Sequence, residues 1–240
     1  LKHYAGHSFS EGGRNHAPVN LGWRELNDTF LLPFEMAVRL ADAGSVMPAY
    51  HAIDGLPCHA NRHLLSEVLR DEWEFDGLIV ADYTGVELLR KAQHIATDNA
   101  EAAAIAFNAG LDVELPGNEC APDLKQALER GLISMETLDA TVTRVLFEKF
   151  RLGLFARPYA DPDGVSFQTG NALDLARQAA PQSVVVLGTD GVLPLQPDQT
   201  VAVLGPTAAA PLALLTGYSF PVPLPLSPPS AGSSDVVTPR

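Results

Sequence analysis

The chain has 240 residues, 46% of them hydrophobic and 19% charged, a globular composition that excludes disorder for its bulk. At roughly 100–200 residues per domain, that length holds one large domain, or one domain and part of a second. Sixteen Lys and Arg stand against 29 Asp and Glu, a formal net charge of −13, so nucleic acid and anionic membrane surfaces are excluded as natural partners.

Taken in chain order, KHYAG (2–6) is a short strand-like piece, followed by a Gly-rich polar loop that carries Glu11, Arg14 and His16. A helix is expected from Pro33, which suits a first helical turn, through Phe34, Ala37, Val38, Leu40 and Ala41. SVMPAY (45–50) is a buried strand by its compact apolar run. Asn61 then caps a helix with Leu64, Leu65, Val68, Leu69 and Trp73 at helical spacing. GLIVAD (77–82) is a third strand. Asp98, with Glu101 three residues on, opens a helix that ends at Gly110. LDVEL (111–115) is a fourth strand, and a long helix over 134–150 places Leu138, Val142, Val145, Leu146 and Phe150 on one face.

Strand and helix repeated in this way imply right-handed parallel crossovers, satisfied by a doubly wound sheet or by half of an eight-stranded barrel. No GxGxxG or Walker loop comes after any strand, which weakens the nucleotide-binding alternative. Residues 156–170, rich in Pro, Gly and Asp, form a linker. Beyond it a helix (173–180) and two strand-like runs, SVVVL (183–187) and TVAVLG (200–205), flank a turn at Asp190-Gly191 and open a second α/β domain over 171–222. Residues 223–240 are Pro/Ser-rich without apolar period and are expected to be a disordered tail.

The chain starts at Leu1 with no signal-peptide pattern, and is expected to be an excerpt of a longer polypeptide. Its compartment is therefore left open, with cytoplasm favoured slightly over secretion. No apolar run approaches the ~18 residues of a membrane span. Cys58 and Cys120 form neither a disulfide framework nor a CxxC pattern and are expected to be buried thiols.

Parallel α/β folds present functional groups at the carboxyl ends of strands. That rule selects Asp82 after GLIVA, Tyr50 at the end of SVMPAY, and Lys2 and His3 in the first strand. A carboxylate, a phenol and donor groups on one rim suit a site that grips hydroxyls and uses the carboxylate as a nucleophile. Each has a plainer reading: Asp82 can cap the helix that begins near Thr84, and Tyr50 can be a half-buried aromatic. His59 and His63 are four apart, but no carboxylate or thiol has ligand spacing to them, so no metal is expected. Asp112 and Glu114 alternate with apolar neighbours and either point into the barrel end or form structural ion pairs, the second being favoured.

The stretch from Lys2 to Pro116 resembles the second half of the barrel domain of glycoside hydrolase family 3, the exo-acting β-glucosidases and β-xylosidases. KHYAGH looks like the family's Lys-His strand, GGRNHAP like the loop after it, and RELNDTFLLPFEMAVR like the next helix. SVMPAYHAIDGLPCHAN, VLRDEWEFDGLIVADY and GLDVELPG resemble the succeeding strands, the second of them the nucleophile segment. SVVVLGTDGVLPL and VAVLGPTAAAPLALLTGYSFP resemble the start of the family's α/β sandwich domain.

The resemblance implies an α/β fold built as the C-terminal half of a (β/α)8 TIM-like barrel over 1–155, continued by the beginning of the sandwich domain. It implies that Asp82 is the catalytic nucleophile, that Lys2 and His3 hydrogen-bond sugar hydroxyls, and that Tyr50 orients the nucleophile. His16 would lie in a substrate-contacting loop, and Tyr83, where many relatives carry Trp, would stack on a sugar face. The substrate would be an oligosaccharide or β-glycoside, with no cofactor and no metal; oligomeric state is not specified. Ala81 departs from the Ser or Thr usual before the nucleophile, and the Asp-x-His arrangement of the N-acetylglucosaminidase branch is missing from the loop after His3. The acid/base Glu is expected outside this chain, so the isolated segment should turn over little and expose uncovered strand edges. Two rivals stand beside this reading: an aldolase-like barrel forming a Schiff base on Lys2, and a non-catalytic sugar-binding relative.

Overall fold

The computed structural model describes residues 1–164, 170–206 and 208–210. They fall into two units, Leu1–Gly164 and a second running from Val165. The first unit is built on a parallel sheet of β1 (Lys2–Tyr4), β2 (Ser45–Pro48) and β5 (Leu78–Ile79), with a small antiparallel hairpin of β3 (Ala52–Ile53) and β4 (Leu56–Pro57) beside it. Lys2 stands opposite Met47, and Ser45 opposite Leu78. A further parallel bridge joins Val80 to Val113, so spatial order matches chain order with no reversal.

Regular pairing is shorter than the apolar runs that encode it. The run at 111–115 contributes a single bridge, at Val113, where a full strand was expected. The ladder nonetheless continues beyond the regular strands: Ala81 N–H donates to the Val113 carbonyl at 2.7 Å and Thr84 N–H to that of Leu115 at 3.0 Å. These bonds hold the ends of two neighbouring segments in register through residue 84.

The helices between the strands obey their local signals with one exception. That exception lies ahead of Pro33. Helical backbone already begins at α1 (Trp23–Glu25), widens over Leu26–Leu31, and continues into α2 (Leu32–Ala41). Pro33 supplies no N–H to the ladder, and the wide turn just before it absorbs that gap, so the helix need not start there. The Asn61 side chain accepts from Leu64 N–H and starts the His63–Glu72 helix, whose Leu64, Leu65, Val68 and Leu69 are buried. After β5 comes α3 (Gly85–Lys91). Asp98 accepts from Glu101 N–H to open α4 (Asn99–Ala109), and the Glu101 carboxylate accepts from Thr97 N–H in return. The short α5 (Leu124–Glu129) leads to α6 (Met135–Arg151), which Ser134 caps.

The core runs beneath the sheet, with Tyr4, Leu64, Leu65, Leu69, Ile79, Leu89 and Leu111 fully buried. The Tyr4 ring meets Phe34 and Trp73 edge-on, and its hydroxyl donates to the Leu64 carbonyl. α4 closes on this core through Ala100, Ala102, Ala103, Ala106 and Ala109, whose small side chains permit close backbone approach. Cys58 and Cys120 are buried free thiols. The expected apolar face of α6 is not packed away: Val142, Leu146 and Phe150 are exposed. Its buried positions are Thr141 and Glu148; Arg144 ties the helix to Asp112, while Glu148 pairs with Arg151 inside the helix.

In the second unit α7 (Gly170–Gln182) forms, three residues earlier than expected. The strand-like runs at 183–187 and 200–205 do not form strands, and Val184, Val185, Leu187, Val203 and Leu204 stand exposed. An isolated apolar run has no neighbour for its N–H and C=O groups, and none pairs with these runs among the described residues. The expected tail, 223–240, lies outside the described residues, as does all of the sequence beyond 210. No helix among the described residues is long and apolar enough to cross a membrane.

Candidate active site

The parallel strands bring Asp82, His3 and Tyr50 to one place, with Lys2 beside His3 at the head of β1. Asp82 lies two residues past the Val80 bridge and is 8% exposed. One carboxylate oxygen, Oδ1, accepts from Tyr83 N–H at 2.8 Å, and the other, Oδ2, lies 3.3 Å from His3 Nε2. Burial lowers the His3 pKa, against an opposing pull from Asp82, so the ring stays neutral near pH 7 beside the carboxylate. Asp82 does not cap the helix after it: no side-chain cap bond is made to α3.

Tyr50 sits two residues past β2, and its hydroxyl donates to the Tyr83 carbonyl at 2.8 Å. It thus grips the residue beside Asp82 through the main chain. The His16 ring packs on Tyr50 at 4.7 Å, which brings the loop after β1 to the same rim. Tyr83 turns outward and is 58% exposed, free to offer its face to a ligand. Lys2 and His3 line a cavity of about 270 Å3 with Gly6, His7, Phe30 and Phe34.

Other groups at this rim were not singled out by the sequence. His59 Nε2 accepts the Asp82 backbone N–H at 3.3 Å. Gln93 donates to the Tyr50 carbonyl at 2.7 Å, and His51 Nε2 donates to the Ala5 carbonyl at 2.9 Å. His7 bridges the imidazoles of His3 and His51, with ring centroids 4.4 and 6.2 Å away. His59 is visible in the sequence only as half of a His-x3-His pair, a spacing that suggests metal. The structure separates the pair: His63 lies on the surface against Glu67, whereas His59 is buried behind Asp82. Among the described residues no group of three or more His, Cys, Asp or Glu could hold a metal ion.

Three other carboxylates that the sequence brings up are committed to structure. Asp112 binds both Arg70 and Arg144 at 2.6 Å and accepts from Ile79 N–H. Glu114 takes the amides of Cys120 and Ala121, with its pKa raised by burial. Glu11 receives the side-chain amide of Asn20 on an exposed turn. Asp82 differs from Asp112 in having no arginine on either oxygen and an edge that remains open.

The sequence pattern of the glycosyl hydrolase family 3 N terminal domain matches residues 1–147. A β-xylosidase of Formosa agariphila is 35% identical over 236 residues, spanning 91% of this chain and 33% of the relative. Among solved structures, a β-glucosidase from Erythrobacter marinus superposes with a TM-score of 0.72 at 39% identity, over 81% of this chain and 26% of that one. The β-glucosidase from Listeria innocua in complex with glucose gives 0.72 at 33% identity, over 88% of this chain and 29% of that one. This chain therefore spans a third or less of the length of the proteins it matches.

Proposed function

The chain belongs to glycosyl hydrolase family 3, and from that premise we propose that it carries the nucleophile half of a retaining, exo-acting β-glycosidase for terminal β-linked glucose or xylose. The observation that carries the reading is Asp82, sheltered at a strand end, with His3 on one oxygen and an amide on the other. The unreversed parallel strand order supports a barrel segment over a doubly wound sheet, whose order reverses at its switch point. On this reading residues 1–155 are the second half of that barrel, and the stretch beyond the linker begins a sandwich domain.

Retaining hydrolysis needs two carboxyl groups about 5–5.5 Å apart. The Asp82 carboxylate attacks C1 as the glycosidic C–O bond breaks, and the departing oxygen takes a proton from a second, protonated carboxyl group. That group, now ionised, removes a proton from water, whose oxygen attacks C1 and frees the Asp82 carboxylate. Lys2 and His3 hydrogen-bond the sugar hydroxyls, Tyr50 keeps the Tyr83 main chain in place, Tyr83 stacks on a sugar face, and His16 borders the same rim. The proton donor comes from sequence outside these 240 residues, because Glu11 and Glu114 are held by other partners and the relatives are about three times longer. The test is turnover of nitrophenyl β-glucoside and β-xyloside by the full-length protein that carries this chain. Asp82→Asn should abolish it with folding intact; a folded Asp82→Asn protein of undiminished turnover overturns the reading.

A further inference from the structure

We propose that His59 is a positioning residue for Asp82, its imidazole fixing the direction in which the carboxylate leaves the strand. The inference rests on the nucleophile assignment above and adds a residue that touches no substrate. His59 is 1% exposed, and its Nε2 accepts the Asp82 N–H at 3.3 Å. Because an amide N–H can only donate, Nε2 carries the lone pair and the neutral ring holds its proton on Nδ1. The charged and titratable groups felt by the ring are Asp82 and His51, and burial outweighs both, holding its pKa down to about 4. The ring is therefore neutral across the working range of a glycosidase; a protonated ring would present N–H to N–H.

A second feature is built around the same contact. Gly85, in the first turn of α3, lies so close that an added Cβ would meet His59 Nε2. Gly85 N–H also donates to the Asp82 carbonyl at 2.8 Å. The segment holding Asp82 is thus gripped through its amide by His59 and through its carbonyl by Gly85. A shift of about 1 Å in a reacting group can cost on the order of 100-fold in rate.

The test is the rate of covalent trapping of the full-length protein by 2-deoxy-2-fluoro-β-glucosyl fluoride or its xylosyl counterpart. His59→Leu, which fills the space without an acceptor, should slow trapping about 10–100-fold at saturating reagent and leave the half-saturating concentration within about three-fold. His59→Gln, whose amide oxygen can accept from Asp82 N–H, should recover most of that rate. A space-filling role predicts that Leu and Gln behave alike. Gly85→Ala should slow trapping by displacing the imidazole, and serves if His59→Leu fails to fold. Trapping at the parent rate in folded His59→Leu, equal loss in Leu and Gln, or parent-like Gly85→Ala each overturns the proposal. Trapping that persists in Asp82→Asn would instead remove the nucleophile assignment beneath it.

Discussion

Two buried aspartates lie at opposite ends of the same short sheet, and their surroundings differ. At the amino end, Asp112 has a fully buried side chain that takes two arginines at 2.6 Å and the amide of Ile79. Arg70 extends the network to the carbonyls of Phe75 and Gly77, just ahead of β5. At the carboxyl end, Asp82 keeps 12% of its side chain exposed and takes one imidazole at 3.3 Å and one amide. A carboxylate saturated by charged donors ties helices to a sheet. One held by weak, neutral donors with an open edge retains the freedom to form a new bond. The difference separates a structural aspartate from a reactive one better than burial does, since both are buried.

That contrast can be broken in order of expected effect. Asp82→Asn should eliminate turnover yet leave stability near that of the parent, because no charged partner is orphaned. Asp112→Ala should do the reverse: two guanidinium groups lose their counter-charge, a loss of roughly 3–5 kcal/mol, with turnover per folded molecule retained. Denaturant unfolding beside nitrophenol release separates the two, and equal stability loss in both variants contradicts the contrast.

Next in size is a pH effect from His59. Its folded pKa of about 4 lies below the unfolded value of 6.5, so protons bind the unfolded chain preferentially between them. Stability from this group is complete above pH 6.5 and falls as pH drops toward 4, by on the order of 3 kcal/mol. His59→Gln should flatten that part of the stability–pH curve; an unchanged slope contradicts the assignment. Tyr50→Phe removes one hydrogen bond to the Tyr83 carbonyl and should lower trapping roughly five- to ten-fold, about 1 kcal/mol. Smallest, Ser134→Ala removes the α6 cap and should cost about 1 kcal/mol or less, with no change in trapping.

Legibility in the sequence depends on locality. Asn61 and Asp98 are read correctly because a cap acts on an amide two or three residues away. Asp82, Tyr50, Lys2 and His3 can be proposed from sequence because strand ends of a parallel fold share one rim. Pro33 misleads, since a start signal and a tolerated interior residue look alike until the wide turn before it is seen. The runs at 183–187 and 200–205 mislead for another reason: β-branched composition states a preference, but a strand needs a neighbour to exist. His59 was hidden because its partner is a main-chain amide 23 residues away, which no side-chain spacing reports.

The most direct measurement is to trap the full-length protein with a fluorosugar, digest it, and locate the modified residue by mass spectrometry. The account predicts a single glycosylated peptide with the sugar on Asp82. A sugar on any other carboxylate, or on Lys2, contradicts it.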